Sequence, residues 1–276
     1  MKKLLAFIVA AATVMSMASC GKKEENAAEG AKDYAKSVAG AQVVAEAGSA
    51  GEELATKDEF FKDANFTPVD SMAKALMEVK SGTADVAIVD YVTSIGSIGE
   101  GTDYEDLAVV EGKDFSPEEY GIAFRKGSDL TPAVNEIIAE IMNDGTMDEI
   151  GETYKLKDLL VKDGKENEGE VEEGDLQYVK DKGELVIGIT IFAPMNYYDD
   201  SEELIGFETE FAKAVCEKLG VEAKFVEINW DSKEMELNSK SIDCIWNGMT
   251  ITEERLENMS ISVPYMQNKQ VMVAAK

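Results

Sequence analysis

Histidine is absent from all 276 residues. That absence removes His-based catalytic triads and the commonest transition-metal ligand at one stroke. Cysteine is nearly as scarce, with three in the chain. Cys20 lies near the start; Cys216 falls in a predicted helix and Cys244 in a predicted strand of one region. The latter two could pair in an exported protein, but two buried free thiols is the preferred reading. Two thiols without histidine make a poor zinc site, so neither metal nor cofactor is expected. Positive charge is also in deficit: 27 Lys and Arg stand against 55 Asp and Glu, a formal charge of −28. Such a chain offers no basic face for nucleic acid or an anionic membrane surface. Most of its acidity reads as solvated surface and says little about a ligand.

A comfortable membrane span is missing too. The apolar stretch from Leu4 to about Met17 follows Lys2 and Lys3 and is too short to cross a bilayer well. It ends in Met17-Ala18-Ser19-Cys20, which resembles the lipobox of bacterial lipoproteins. The resemblance implies a signal peptide over residues 1–19, lipidation of Cys20 and a flexible tether over 20–32. Each buried methylene adds roughly 0.8 kcal/mol of membrane affinity, so several acyl chains make a stable anchor.

What remains, about 250 residues, suffices for two small lobes. Short β-like runs alternate with amphipathic helical patterns, which predicts an α/β architecture. Strands are expected at residues 42–45, 85–90, 107–110, 120–124, 184–189, 223–227, 242–246 and 270–275. Helices are expected at 51–61, 71–80, 132–143, 146–154, 208–219 and 232–238. Between Lys162 and Asp175 acids dominate and apolar residues nearly vanish. A stretch of that kind cannot offset its ordering entropy and reads as a solvated linker.

Three motifs carry chemistry. Gly206-Phe207-Glu208-Thr209-Glu210-Phe211 opens a helix with Val215 and Leu219 on one face; alone, its acids are good dipole chemistry and no more. Phe192-Ala193-Pro194-Met195-Asn196-Tyr197-Tyr198 precedes it. Asn247-Gly248-Met249-Thr250-Ile251-Thr252-Glu253-Glu254-Arg255 follows. Together, in this order and spacing, they resemble the polar-amino-acid family of ABC-transporter solute-binding lipoproteins, bacterial solute-binding protein family 3. The resemblance implies a two-lobed, type II periplasmic-binding-protein-like Venus-flytrap fold. It also implies an inverted order: the opening lobe of the family stands last here, and the segments that should follow it stand first. The expected division is a second lobe at 33–120, a hinge return with C-terminal helices of the first lobe at 121–160, a linker at 161–174 and the main first lobe at 175–276. A circular permutation of this kind cuts the outgoing crossing strand, leaves one covalent hinge with a wider opening range, and places the lipid tether near that hinge.

The resemblance also assigns roles. Arg255 clamps an α-carboxylate, for which its planar, always charged fork is suited. Thr250 assists, and Gly248 offers its carbonyl to the α-ammonium. Asp90, at a buried strand end, is the acidic partner of that ammonium, although it could instead cap the next helix. Residues Ser49, Ala50 and Gly51 form a strand-to-helix turn whose free N–H groups suit an anion. The family carries Ser or Thr where Ala50 stands, so one hydroxyl donor is lost. Phe192 and Trp230 are expected to sandwich the ligand side chain, with Asn247 and Thr190 as polar contacts and Trp246 as packing behind them. Glu46 could favour a cationic ligand, but a strand-end Glu reads as structural. Glutamine, cystine, glutamate, arginine and lysine all stay open as ligands, with a polar uncharged one preferred because no second charge in the pocket is evident.

The expected function is therefore a monomeric, lipid-anchored extracytoplasmic receptor that delivers a free polar amino acid to an ABC permease, and not an enzyme. Two alternatives stay open: a sensory amino-acid-binding module, and a dehydratase on the same fold.

Overall fold

Backbone dihedral demands and caps set the elements before any packing does. Ser71 accepts from the Lys74 N–H to start one helix, and Gly82 ends it with φ 76°. Gly206 starts another at φ 128°, where a Cβ would sit 2.2 Å from the Met195 carbonyl oxygen. Only glycine fits there, which explains the first residue of the Gly206–Phe211 motif.

The structure, a computed structural model, describes residues 33–167 and 169–276. The expected signal peptide, the lipidation site Cys20 and the tether lie outside them. In chain order the elements are β1 (Gln42–Glu46), α1 (Ala50–Lys57), β2 (Asn65–Val69), α2 (Met72–Ser81), β3 (Val86–Asp90), α3 (Tyr91–Ser97), β4 (Leu107–Val109), β5 (Pro117–Tyr120) and β6 (Ala123–Arg125). Next come α4 (Leu130–Asp144), α5 (Thr146–Thr153), α6 (Asp175–Lys182), β7 (Glu184–Ile189), β8 (Tyr197–Tyr198), β9 (Leu204–Ile205), α7 (Phe207–Leu219) and β10 (Glu222–Glu227). The remainder is α8 (Lys233–Asn238), β11 (Cys244–Ile245), α9 (Glu253–Asn258), β12 (Met259–Ile261) and β13 (Met266–Ala275).

Two sheets result. One has the order β2-β1-β3-β13-β4, with β5 also paired to β13; the other runs β10-β7-β11-β6-β12. Parallel pairs β1–β2, β1–β3, β7–β10 and β7–β11 build one side of each, out to its edge, as βαβ crossovers require. Helices cover the sheets. Leu76 and Val79 of α2 pack on Val44 and Val89, while Phe207, Phe211 and Val215 of α7 join Leu185 and Ile187. Cys216 and Cys244 are both buried and free, as preferred from the sequence.

Two antiparallel strands lie side by side between the sheets, with Tyr120 of β5 opposite Met266 of β13. From β5 the chain enters β6 and the five-stranded sheet. From β12 it returns through β13, which continues between β3 and β4. This corrects one expectation. The outgoing crossing is not interrupted near Gln270: β13 runs ten residues through it, because Val271, Met272 and Val273 are apolar enough to take a central place in the sheet. Residues 270–275 therefore pair with β3 and β4 of the 33–120 segment, while Met266, at the start of the same strand, still packs with Leu185 and Phe207.

The acidic stretch is a second correction. It is exposed over most of its length but held at intervals. Val161 donates to the Tyr265 carbonyl at 3.0 Å and Glu172 to that of Gly127 at 2.6 Å. The Asn167 amide donates to Ile261 and Ser262, each at 3.1 Å. Backbone and amide hydrogen bonds of this kind need no apolar side chains, so composition alone could not reveal them. Among the described residues no helix is long and apolar enough to cross a membrane.

Candidate functional site

Parallel strands end with their carboxyl edges facing outward, and a crevice at such an edge is where open α/β sheets hold ligands. In this chain β1 and β3 deliver Glu46 and Asp90 to that edge. The turn that follows β1 leads into α1 through a cap: Ser49 Oγ accepts from the Glu52 N–H at 3.1 Å, and Glu52 accepts from the Gly48 N–H at 2.6 Å. Ser49 is thus engaged as a helix cap. Ala50 and Gly51 open the helix, where first-turn N–H groups have no intrahelical partner.

Arg255 comes from the other sheet's side. Thr252 caps α9 by accepting from the Arg255 N–H at 3.2 Å. The guanidinium then folds back, donating to the Thr250 carbonyl at 2.7 Å and reaching the Gly48 carbonyl at 3.4 Å. It is 8 % exposed. Burial pulls its pKa down, and Glu53, Glu118, Asp90 and Glu234 oppose that. Lys233, at the start of α8, donates to the same Gly48 carbonyl at 2.8 Å and to that of Trp230 at 3.2 Å. Burial lowers Lys233 to about 8.

The acids gather at the crossing strands. Asp90, 3 % exposed, accepts from the Tyr120 hydroxyl at 2.5 Å and from the Gln270 amide. It makes no side-chain cap for α3, so the capping alternative falls away. Glu118 on β5 accepts from Thr250 at 3.2 Å, and from Asn268 and Gln270 at 3.1 Å each. Burial raises Asp90, and Tyr120, Gln270, Asn268 and Arg255 hold it down in part. Burial, then the Asp90 charge, lifts Glu118 to about 7. A continuous polar path therefore links Arg255 through Thr250, Glu118 and Gln270 to Asp90.

Gly248 sits at φ 57°, and a Cβ there would lie 3.0 Å from Phe192 Cζ. Its N–H donates to Glu208 at 2.8 Å, and the Tyr265 hydroxyl donates to the same carboxylate oxygen. Glu208 is fully buried, which lifts it to about 7. The acid at the start of the Gly206 motif is thus an anchor for the Gly248 loop, beyond any dipole effect.

The remaining predicted residues divide. Phe192 packs in the cluster of Tyr120 and Trp246, whereas Trp230 belongs to that of Ile245 and Met249. Both are near-buried, but they fall in separate apolar clusters. Asn247 accepts from the Thr190 hydroxyl at 2.6 Å and donates to the Thr190 carbonyl at 2.8 Å and to Asn196 at 2.7 Å. With its amide so committed, it positions the loop. Trp246 is packing, set edge-on to Phe211 at 4.9 Å.

Sequence reasoning missed Glu118, Lys233, Tyr120 and Gln270. One signal was available: Glu118 and Tyr120 are two apart on a strand and so share a face. An open cavity of about 380 Å3 adjoins the cluster, lined by Gly48, Ser49, Glu52, Glu53, Lys233 and Arg255 among others. No set of three or more metal-ligating side chains is gathered among the described residues. Chemically, the arrangement offers a fixed cation and helix N–H groups to one end of a ligand, and buried carboxylates to the other.

Residues 185–276 match the bacterial extracellular solute-binding proteins, family 3. The chain is 39% identical over 95 residues to the L-cystine-binding protein TcyJ of Escherichia coli K12, covering 34% of this chain and 36% of that protein. It is 32% identical over 85 residues to ABC transporter arginine-binding protein 1 of the same organism, covering 31% and 35%. The matched stretch thus spans about a third of these curated relatives. Among solved structures, the arginine-bound form of domain 1 from TmArgBP is 33% identical, with 36% of this chain and 85% of that one covered and a TM-score of 0.32.

Proposed function

Through residues 185–276 the chain belongs to the bacterial extracellular solute-binding proteins of family 3, and from that premise we propose that it is an extracytoplasmic receptor for a free amino acid. Its mixed α/β fold is of the type II periplasmic-binding kind. The carrying observation is the disposition of charge about the crossing strands. Arg255 and the α1 N-terminus stand ready for an α-carboxylate, and Asp90 and Glu118 for an α-ammonium. Ligand enters between the sheets and is gripped from both, so closure is favoured by contacts made only when the two approach. The Gly48 carbonyl, which accepts from Lys233 and Arg255, is one such contact.

Delivery to an ABC permease, anchoring through Cys20 and a monomeric state complete the reading. A Cys20→Ala protein that still sediments with membranes would count against the anchor. We also read the segment order as circularly permuted, supported by β13 entering the sheet built from residues 33–120. A chain with residues 175–276 placed ahead of 33–160 should then fold and keep the same ligand preference; failure to fold would count against it.

A thermal-shift screen of the twenty amino acids plus cystine tests the central claim, since a tight ligand raises Tm by mass action. At least one should shift Tm, and Arg255→Met should abolish the shift while the circular dichroism spectrum stays native. A folded protein with a flat response to the whole panel would refute the receptor reading.

A further inference from the structure

Glu46 closes β1, in register with Val69 of β2, at the carboxyl edge shared with Asp90. It is 2 % exposed, and its Oε1 has no hydrogen-bond partner among the described residues. The other acids here each take at least two donors, although both of those on Glu208 fall on one oxygen and its Oε2 is unpartnered among the described residues. Asp90 takes Tyr120 and Gln270, Glu118 takes three donors, and Glu208 takes Gly248 and Tyr265. Nor is there a described ion pair to relieve Glu46. Lys233 is close enough to be felt, and it favours the charged form, while burial and Asp90 oppose it and lift Glu46 to about 8. Yet the Lys233 ammonium is committed to two backbone carbonyls and sits 5.0 Å above the Trp230 ring.

A buried carboxylate without donors is costly: it takes up a proton unless a paired charge arrives to relieve it. With Arg255 assigned to an α-carboxylate, and Asp90 with Glu118 to an α-ammonium, Glu46 is left over for a second cation. Resting on the amino-acid-receptor reading above, we infer that Glu46 is a specificity-determining carboxylate that selects amino acids with a cationic side chain, a guanidinium or an ammonium. This reverses the preference for an uncharged ligand drawn from sequence, because burial of Glu46 was not visible there.

Calorimetric titration of the full chain with L-arginine, L-lysine, L-citrulline, L-glutamine and L-glutamate tests it. Arginine and citrulline differ by one charge at nearly constant shape, so their ratio isolates the second cation without any mutation. A charge-assisted hydrogen bond predicts roughly 10- to 100-fold tighter binding of arginine than of citrulline. Glu46→Gln should bring that ratio to within about threefold, since a neutral amide no longer discriminates by charge. A merely structural Glu46 would lower both affinities together and leave the ratio standing. Citrulline, glutamine or glutamate binding as tightly as arginine to the unmodified protein would overturn the inference and leave the receptor reading intact. So would an undiminished ratio in Glu46→Gln. A folded protein that binds none of the twenty amino acids or cystine overturns both.

Discussion

Glu208 shows how much one side chain can do that its local sequence conceals. At the start of α7 it reads as an acid placed for the helix dipole. In the fold it is fully buried and takes hydrogen bonds from Gly248 and Tyr265, 40 and 57 residues away. Removing it strands two buried donors. Glu208→Ala should therefore cost about 2–4 kcal/mol of stability, read as a lowered urea midpoint at unchanged slope. A midpoint within error of the parent would show that the Gly248 loop is held by something else. Arg255, Thr250, Gly248 and Asp90 were legible because they stand in short motifs or at a strand tip whose chemistry is local. Glu118, Lys233 and Gln270 were not, since their partners come from elements more than a hundred residues distant: Thr250, Gly48 and Asp90, respectively. Ser49 was legible as a helix-start residue, but its hydroxyl proves to be occupied by capping.

At the scale of elements, periodicity located the apolar helices and the Val- and Ile-rich strands within a few residues. It failed where that signal is weak. β2 contains Pro68 and lies at the sheet edge, where proline is tolerated; α3 mixes β-branched residues with Gly96; α6 has Val179 as its one buried side chain. The fold explains Gly96 sterically. A Cβ there would fall 2.6 Å from Pro194 Cδ and from Pro194 N, so α3 meets the 193–194 segment backbone against ring. These two pieces belong to different sheets' sides, and relief of the clash lies in separating them. Gly96→Val should leave the ligand-free protein folded but weaken ligand affinity by about tenfold or more, about 1.4 kcal/mol of closure energy. Small-angle scattering at saturating ligand should then give a larger radius of gyration than the parent. An unchanged radius and affinity would mean that closure does not bring α3 onto Pro194.

Over the whole molecule, the buried acids make stability depend on pH in an unusual sense. Burial lifts Glu118 and Glu208 to about 7 and Glu46 to about 8, against an ordinary 4.5. Between 4.5 and those values the folded chain binds more protons than the unfolded chain, so stability falls as pH rises through the window. The ligand-free protein should thus melt highest near pH 5 and lose on the order of a few kcal/mol by about pH 8. A cationic ligand needs these carboxylates ionised, so its affinity should rise over the same interval and its stabilisation should offset the loss. The formal charge of −28 adds surface self-repulsion of the same sign, and salt separates the two. About 0.5 M salt screens exposed charges strongly but buried ones weakly. Melting curves across that pH range, with and without salt and arginine, decide the matter. A pH dependence that vanishes in salt would assign the effect to the surface and leave the buried acids out of it; one that persists in salt and is offset by arginine would place it in the cleft.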